Sequence, residues 1–231
     1  MEAILQATNL KKSYFNKHAL KDITLQVEKG KILGLLGPNG SGKTTFMKMA
    51  AGLLKPTAGK ILIDGQEPGI YTKSIVAYLP DTNYLYKWMK VHDSLAFFDD
   101  LYGDFNLNKA KELLEFMKLS ENDKITTLSK GMLEKLLLTL VLSRRAQLYI
   151  LDEPLGGIDP AAREKIIDAL INNFTEDSSM IISTHLVRDI ERLFDEVVFI
   201  ADGEIIKQGN AEDLRLQHSK SIDQLYMEVF A

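Results

Sequence analysis

The sequence predicts an α/β fold built around a mainly parallel sheet, and three observations support this prediction. Short strand-type runs alternate with helix-type runs along most of the 231 residues, as in folds with parallel sheets. Several strand-type runs are apolar throughout, which is typical of strands that are covered on both faces. Apolar residues make up 45% and charged residues 26% of the chain, proportions that are ordinary for a soluble globular protein.

The predicted elements follow these runs in order. Strands are predicted at 31–36, 60–63, 75–79, 147–151, 179–183 and 196–200. Helices are predicted at 43–53, 108–118, 131–143, 160–173 and 186–193. The first thirty residues differ, because 3–8 and 22–28 predict strands of a more antiparallel subsheet. Residues 201–205 predict a tight hairpin turn, and 210–230 predict one or two amphipathic helices.

The alternation stops between about 82 and 128. This segment is rich in helix-forming residues and in aromatic residues, and it predicts a helical insertion between two parts of one α/β core. Its aromatic and methionine side chains favour core or a partner-facing groove over a cofactor site. There is no internal repeat and no Pro/Gly/Ser-rich linker, so a single domain is predicted.

Charge and composition exclude several classes of function. The net charge of −4 provides no overall basic field for nucleic acid, and no nucleic-acid partner is expected. The chain has no cysteine, which excludes disulfides and thiolate metal sites. We expect no targeting segment and no membrane span, so any role at a membrane depends on a partner.

A phosphate-binding loop is predicted between the strand 31–36 and the helix that follows it. The segment Gly37–Thr44 fits the pattern G-x-x-x-x-G-K-[ST] in the strand–loop–helix context that the pattern requires. Glycines allow backbone N–H groups to converge on phosphate oxygens, and the helix N-terminus favours anions. The alternative is a turn that only joins strand to helix. The candidate phosphate-binding residues are Gly37, Pro38, Asn39, Gly40, Ser41, Gly42, Lys43, Thr44 and Thr45.

Two carboxylates follow a second apolar strand, Leu148–Leu151. The end of such a strand beside a phosphate site places Asp152 where it can bind Mg²⁺ together with Thr44. Glu153 is then a candidate for the catalytic base that polarises the attacking water. The alternative is a strand that ends in solvated acids.

The order of the remaining motifs resembles the ATP-binding subunit of an ATP-binding cassette (ABC) transporter, over nearly the whole chain. The run GLLKPTAGKILIDG at 52–65 is similar to that family's usual continuation after the phosphate helix. Leu128–Met132 occupies the place of the family's LSGGQ signature, and Gly156–Asp159 that of the D-loop. Ser183-Thr184-His185 ends the next strand, where the family has its switch histidine.

The resemblance implies a P-loop NTPase (RecA-like) core with an N-terminal antiparallel β-subsheet and an inserted helical subdomain. The core lobe would be about 1–81 and 144–210, the helical lobe about 82–143, and a helical tail about 211–231 of one ABC domain spanning 1–231. It also implies ATP and Mg²⁺ as cofactors. Further residues would contact ATP: Tyr14 stacking on adenine, His185 as a catalytic γ-phosphate contact, and Ser129, Gly131 and Asp159 acting on ATP held by a second subunit.

Two positions depart from the family pattern. Asp81 stands where the family's Q-loop usually has glutamine, and a carboxylate there can still bind Mg²⁺ or its water. Lys130 and Met132 make the signature LSKGM, in which a lysine replaces a small residue close to the expected phosphate. This variant is similar to a branch of bacterial exporters of antimicrobial peptides and drugs.

The resemblance implies an ATPase that powers a separate integral-membrane permease from the cytoplasmic face of the membrane. Two such subunits, identical or different, would sandwich ATP head to tail. The aromatic segment Tyr84–Trp88 is the predicted docking groove for a permease helix. Two alternatives stay open: a soluble ABC-type ATPase that acts on a protein complex, and a nucleotide-binding module with little turnover.

Overall fold

The computed structural model describes residues 2–230, so the first and last residues of the predicted domain lie outside the described part. Its strands are β1 (Ala3–Tyr14), β2 (Lys17–Glu28), β3 (Ile32–Leu36), β4 (Ala58–Ile63), β5 (Val76–Leu79), β6 (Leu148–Asp152), β7 (Ser179–Thr184), β8 (Glu196–Ala201) and β9 (Glu204–Asn210). Its helices are α1 (Lys43–Ala50), α2 (Ile70–Ile75), α3 (Val91–Leu101), α4 (Leu107–Met117), α5 (Lys130–Leu142), α6 (Pro160–Asn173), α7 (Val187–Ile190), α8 (Ala211–His218) and α9 (Ile222–Phe230).

The strands form one sheet in the order β4-β1-β2-β9-β8-β3-β7-β6-β5. The strands β8, β3, β7, β6 and β5 are parallel neighbours, which confirms the predicted parallel core. At the other end, β1 pairs antiparallel with β2 and with β4. The predicted strand 60–63 therefore belongs to the antiparallel subsheet rather than to the parallel set, because its pairing partner is the distant β1.

Other differences concern element ends. The predicted helix 186–193 is α7 followed by a short 3₁₀ turn at Glu191–Leu193. The hairpin turn is confirmed at Asp202 and Gly203, both with positive φ. The strand that follows it, β9, is absent from the prediction because its side chains alternate between partly buried and exposed and include a glycine.

Two hydrophobic clusters bury the two faces of the sheet. In β6, Leu151 belongs to one cluster and Ile150 to the other, and both side chains are fully buried. This two-sided burial explains why β3, β6 and β7 are apolar along their length. Phe98 of α3 and Leu138 of α5 belong to the same cluster as Leu151, so the inserted helices share a core with the sheet.

One buried arginine ties the inserted helices to the sheet. Arg144, just after α5, donates to both carboxylate oxygens of Asp104 at 3.0 and 3.1 Å. It also donates to the backbone oxygens of Val76 at 2.7 Å and Ser74 at 2.8 Å. Its guanidinium lies 3.9 Å from the ring centroid of Tyr102. Arg144 therefore holds the start of β5 against the helical segment.

Within residues 2–230, no helix combines the length and the apolar character that crossing a bilayer requires.

Candidate active site

The phosphate loop and the predicted catalytic residues lie at the carboxyl ends of three adjacent strands, β3, β7 and β6. The phosphate loop follows β3, Asp152 ends β6 and Glu153 comes directly after it, and His185 follows β7. Ligands of α/β sheets bind outside the carboxyl ends of parallel strands. The sheet order thus brings together side chains that are far apart in the sequence.

Glycines shape the phosphate loop in two ways. A Cβ at Gly37 would lie 2.2 Å from the Ile200 backbone oxygen, and one at Gly42 would lie 2.7 Å from the Ala19 backbone oxygen. Gly40 has open space around it, but its φ of +82° favours glycine. The loop therefore packs tightly on the backbone behind it while keeping its outer side open.

Lys43 is the buried cation of the site. Its ammonium donates to the backbone oxygens of Gly37 at 2.7 Å and Pro38 at 3.1 Å. It also lies 3.7 Å from Glu153 Oε1. Burial lowers the pKa of Lys43, while the charges of Glu153 and Asp152 oppose that shift.

Asp152 is only 1% exposed at the end of β6. Ser183 donates its hydroxyl to Asp152 Oδ1 at 2.5 Å, and Asp152 Oδ2 has no hydrogen-bond partner among the described residues. Burial raises the pKa of Asp152, and the hydroxyls of Ser183 and Thr44 oppose that shift. A buried carboxylate oxygen without a partner, beside a threonine hydroxyl, is a donor set that fits a hard divalent cation.

Glu153 and His185 form a directly bonded pair. His185 Nδ1 lies 2.9 Å from Glu153 Oε2, and the His185 N–H donates to the same oxygen at 3.3 Å. The Glu153 N–H donates to the Ser183 backbone oxygen at 3.1 Å, with Glu153 at a positive φ of 52°. Its other oxygen, Oε1, accepts no hydrogen bond within residues 2–230.

A cleft of about 300 Å³ gathers most of the predicted nucleotide residues. Tyr14, 44% exposed at the end of β1, forms one wall, and Lys12 Nζ lies 5.1 Å from its ring centroid. The tight loop, the buried lysine and the partnerless Asp152 oxygen together fit a nucleotide polyphosphate with a divalent cation. The lining residues are Tyr14, Lys17, Ala19, Asn39, Gly40, Gly42, Lys43, Thr44, Thr45, Asp81 and Glu153.

A second cleft of about 510 Å³ opens beside the first. Asp81 and Glu153 line both clefts, and Lys130, Glu134 and His185 line the second. Ser183 and Glu134 are not among the site residues that the sequence predicts. Ser183 meets Asp152 because β6 and β7 pair in that register, and no local pattern in the sequence reveals such a pairing.

Six predicted residues line neither cleft: Gly37, Pro38 and Ser41 of the phosphate loop, and Ser129, Gly131 and Asp159. Ser129 caps α5 by accepting from the Met132 N–H at 3.3 Å. Asp159 caps α6 by accepting from the Ala162 N–H at 3.0 Å. Their capping roles are thus local, and the structure of the single chain does not bring them to the first cleft.

Comparisons with known proteins agree with this geometry. A family model described as ABC transporter matches residues 20–156. The linearmycin resistance ATP-binding protein LnrL of Bacillus subtilis strain 168 is 35% identical over 219 residues, which are 91% of this chain and 70% of LnrL. The solved ATP-binding subunit of an ABC transporter is 29% identical with a TM-score of 0.88, covering 97% of this chain and 98% of that one. The dimeric cassette MJ0796 shares the fold, with a TM-score of 0.80 at 22% identity over 89% of this chain and 98% of that one.

The family model spans more than half of the chain, and LnrL is similar over nearly all of it. With the phosphate loop, the paired acids and the strand-end histidine assembled at one edge of the sheet, the chain belongs to the ABC transporter family, as one of its ATP-binding ATPase proteins.

Proposed function

We propose that this chain hydrolyses ATP to drive a separate integral-membrane permease. The observation that best supports this function is the convergence of Lys43, Asp152, Glu153 and His185 at the ends of adjacent strands. A module that only held nucleotide would not need the bonded Glu153–His185 pair beside the phosphate loop.

In this proposal, the residues of the first cleft, together with Asp152 from the second, each have one role. The loop N–H groups and Lys43 hold the ATP phosphates, and Tyr14 stacks on adenine. Thr44, Asp152 and Asp81 would hold Mg²⁺, directly or through water. The bound Mg²⁺ would neutralise charge on the phosphate oxygens.

Glu153 is the proposed catalytic base. His185 occupies Oε2, which leaves Oε1 to accept a proton from the attacking water. His185 would also contact the γ-phosphate. A positioned base contributes about 10²–10⁴-fold in rate, so Glu153→Gln should lower Mg²⁺-dependent phosphate release by about that factor while ATP still binds. An equal rate in the two proteins would exclude Glu153 as the base.

Ser129, Gly131 and Asp159 are proposed to act on ATP held by a second cassette. A head-to-tail pair would place these residues over the partner's nucleotide and create two sites across a two-fold axis. The dimeric state of the MJ0796 cassette supports this arrangement. ATP then lies in the interface, so dimer formation should rise with ATP concentration. The core lobe (about 1–81 and 144–210), the helical lobe (about 82–143) and the tail (about 211–231) are the proposed parts of this domain.

The permease is proposed to dock in a groove of about 510 Å³ beside β5. Tyr84, Phe98 and Leu101 contribute an apolar wall, and the groove continues to Pro80, next to Asp81. Movement of a docked helix can therefore reach the ATP cleft through one short segment. Trp88 is 70% exposed and stacks on Tyr86, with 6.0 Å between ring centroids, but it is not a lining residue. It is proposed to extend the docking surface beyond the groove.

The similarity to LnrL supports export of an antimicrobial compound as the transport reaction. The chain would then work on the cytoplasmic face of the membrane, held there by the permease.

Co-purification tests the proposal most directly. We would tag the Glu153→Gln chain, express it in its native cell and purify it in mild detergent. A stoichiometric polytopic membrane protein is the expected companion. Soluble proteins alone would instead favour an ABC-type ATPase that acts on a protein complex, and would overturn the permease assignment.

A further inference from the structure

Lys130, the first residue of α5, has a charge that helix stability does not explain. The positive end of the helix dipole disfavours a cation at this position. Its ion-pair partner among the described residues is Glu134, one turn on, with Nζ 3.8 Å from Oε1 and the lysine side chain 75% exposed. A pair with an exposed lysine on the N-terminal side of its glutamate stabilises a helix only weakly.

The Lys130 side chain lies over the loop that precedes α6. A Cβ on Gly157 would lie 2.5 Å from Lys130 Cε and 2.6 Å from its Nζ. Gly157 has a φ of +73°, so glycine is favoured there for the backbone as well. Lys130 thus lies between Ser129 and Gly131 on one side and the loop that leads to Asp159 on the other. These three residues are the ones proposed to contact the partner's ATP.

The ion pair matters more to the charge of Glu134 than to that of Lys130, because Glu134 is the more buried of the two. Glu134 lies in the wall of the second cleft, which Asp152 and His185 also line. Its Oε2 has no hydrogen-bond partner among the described residues. Burial raises the pKa of Glu134, and the Lys130 charge opposes that shift. Lys130, in contrast, is exposed on a flexible stem and can leave Glu134 for a stronger anion.

We infer that Lys130 senses the γ-phosphate of ATP. In a chain that has not dimerised, its ammonium pairs with Glu134. When the dimer closes, the ammonium moves to the ATP that the second cassette holds. This inference rests on the proposed function, because it needs the head-to-tail dimer. A terminal phosphate offers more charge and more acceptor oxygens than one carboxylate. ADP lacks the γ-phosphate, so Lys130 makes dimerisation selective for ATP.

The test measures dimer formation by sedimentation during titration with ATP or ADP, in the Glu153→Gln background. Lys130→Met keeps the apolar stem over Gly157 and removes the charge. It should raise the ATP concentration for half-maximal dimerisation at least tenfold, and Lys130→Arg should restore it to within about threefold. Lys111→Met, which removes an exposed lysine of α4, is the matched control and should change nothing.

Glu134→Gln separates the inference from a merely structural role. It releases Lys130, so it should lower the half-maximal ATP concentration several-fold, and it should have no effect when combined with Lys130→Met. An equal effect of Glu134→Gln with and without Lys130 would overturn the inference, as would an ATP response that Lys130→Met leaves unchanged. Failure of the Glu153→Gln chain itself to dimerise with ATP would instead overturn the proposed dimer.

Discussion

Gly37, Gly40 and Gly42 are needed in the phosphate loop for different physical reasons. Gly37 and Gly42 press against backbone oxygens of neighbouring segments, whereas Gly40 faces open space with a positive φ. The motif at 37–44 predicts the loop from sequence because glycine spacing determines local backbone geometry. The motif does not reveal that the backbone oxygens of Ile200 and Ala19, far away in the chain, leave no room for a side chain at Gly37 and Gly42.

Alanine substitutions at two glycines with free space around them distinguish an effect on the stability of the fold from an effect on ATP binding. Gly40 and Gly65 both have positive φ and no atom within 4 Å of an added Cβ. Gly40→Ala and Gly65→Ala should each cost about 1 kcal/mol of unfolding free energy, measured by chemical denaturation. Only Gly40→Ala should weaken ATP binding, measured by calorimetry. Equal ATP affinity of the two variants would contradict the role of Gly40 in the phosphate site.

Asp152 should make the nucleotide-free protein less stable as the pH rises. Burial raises its pKa in the folded chain above the ordinary value of 3.8, so the folded state binds the proton more tightly than the unfolded state does. The unfolding free energy therefore falls as the pH rises through that raised pKa. Asp152→Asn should be more stable than the wild type at neutral pH, by a margin that shrinks as the pH approaches 3.8.

Denaturant titrations of both proteins at several pH values, without nucleotide, measure this margin. Asp152→Asn should also lose Mg²⁺-dependent phosphate release. A difference in unfolding free energy that does not change with pH would contradict this prediction, because it would show that folding does not raise the pKa of Asp152.

Elements differ in how far the sequence predicts them. The buried strands β3, β6 and β7 and the helices α5 and α6 follow from strong apolar patterns. The strand β4 has a pattern like theirs, yet it pairs antiparallel with β1 at the sheet edge. An apolar run predicts that a strand is buried, but its partner depends on residues far away in the chain.

Arg144 shows how much one side chain that connects several elements contributes to the unfolding free energy. It is 3% exposed, and it bonds Asp104 and two backbone oxygens of the segment leading into β5. Removal of one member of a buried ion pair costs about 3–5 kcal/mol, so Arg144→Met should lower the unfolding free energy by about 3 kcal/mol. Arg192→Met, which breaks the exposed pair with Glu164, should cost less than about 1 kcal/mol. Similar losses in the two variants would show that the Arg144 bonds add little.

The whole molecule carries two surfaces for its proposed function: the ATP cleft, which Asp81 lines, and the groove proposed for the permease, which Pro80 lines. Leu101 is 57% exposed and lines that groove, while Trp88 lies outside it. Leu101→Glu should reduce permease-stimulated hydrolysis more than ATP binding, and Trp88→Ala should do so to a smaller degree. Leu216→Glu, at a leucine of α8 that is 70% exposed, is the control and should leave stimulation unchanged. The measurement is phosphate release with the permease in detergent or vesicles, and equal losses of stimulation and ATP binding would contradict the docking role.

The phosphate loop, the acids that end β6 and the α/β class of the fold all follow from the sequence, because short-range spacing and apolar pattern determine them. Only the tertiary structure decides that Glu153 bonds His185, that Arg144 reaches the start of β5 and that Lys130 covers Gly157. Each of these contacts joins segments far apart in the chain, and their geometry depends on sheet order and helix packing. Such long-range pairings leave no periodic signal in the sequence, so the chemistry of the residues is predictable while their partners are not.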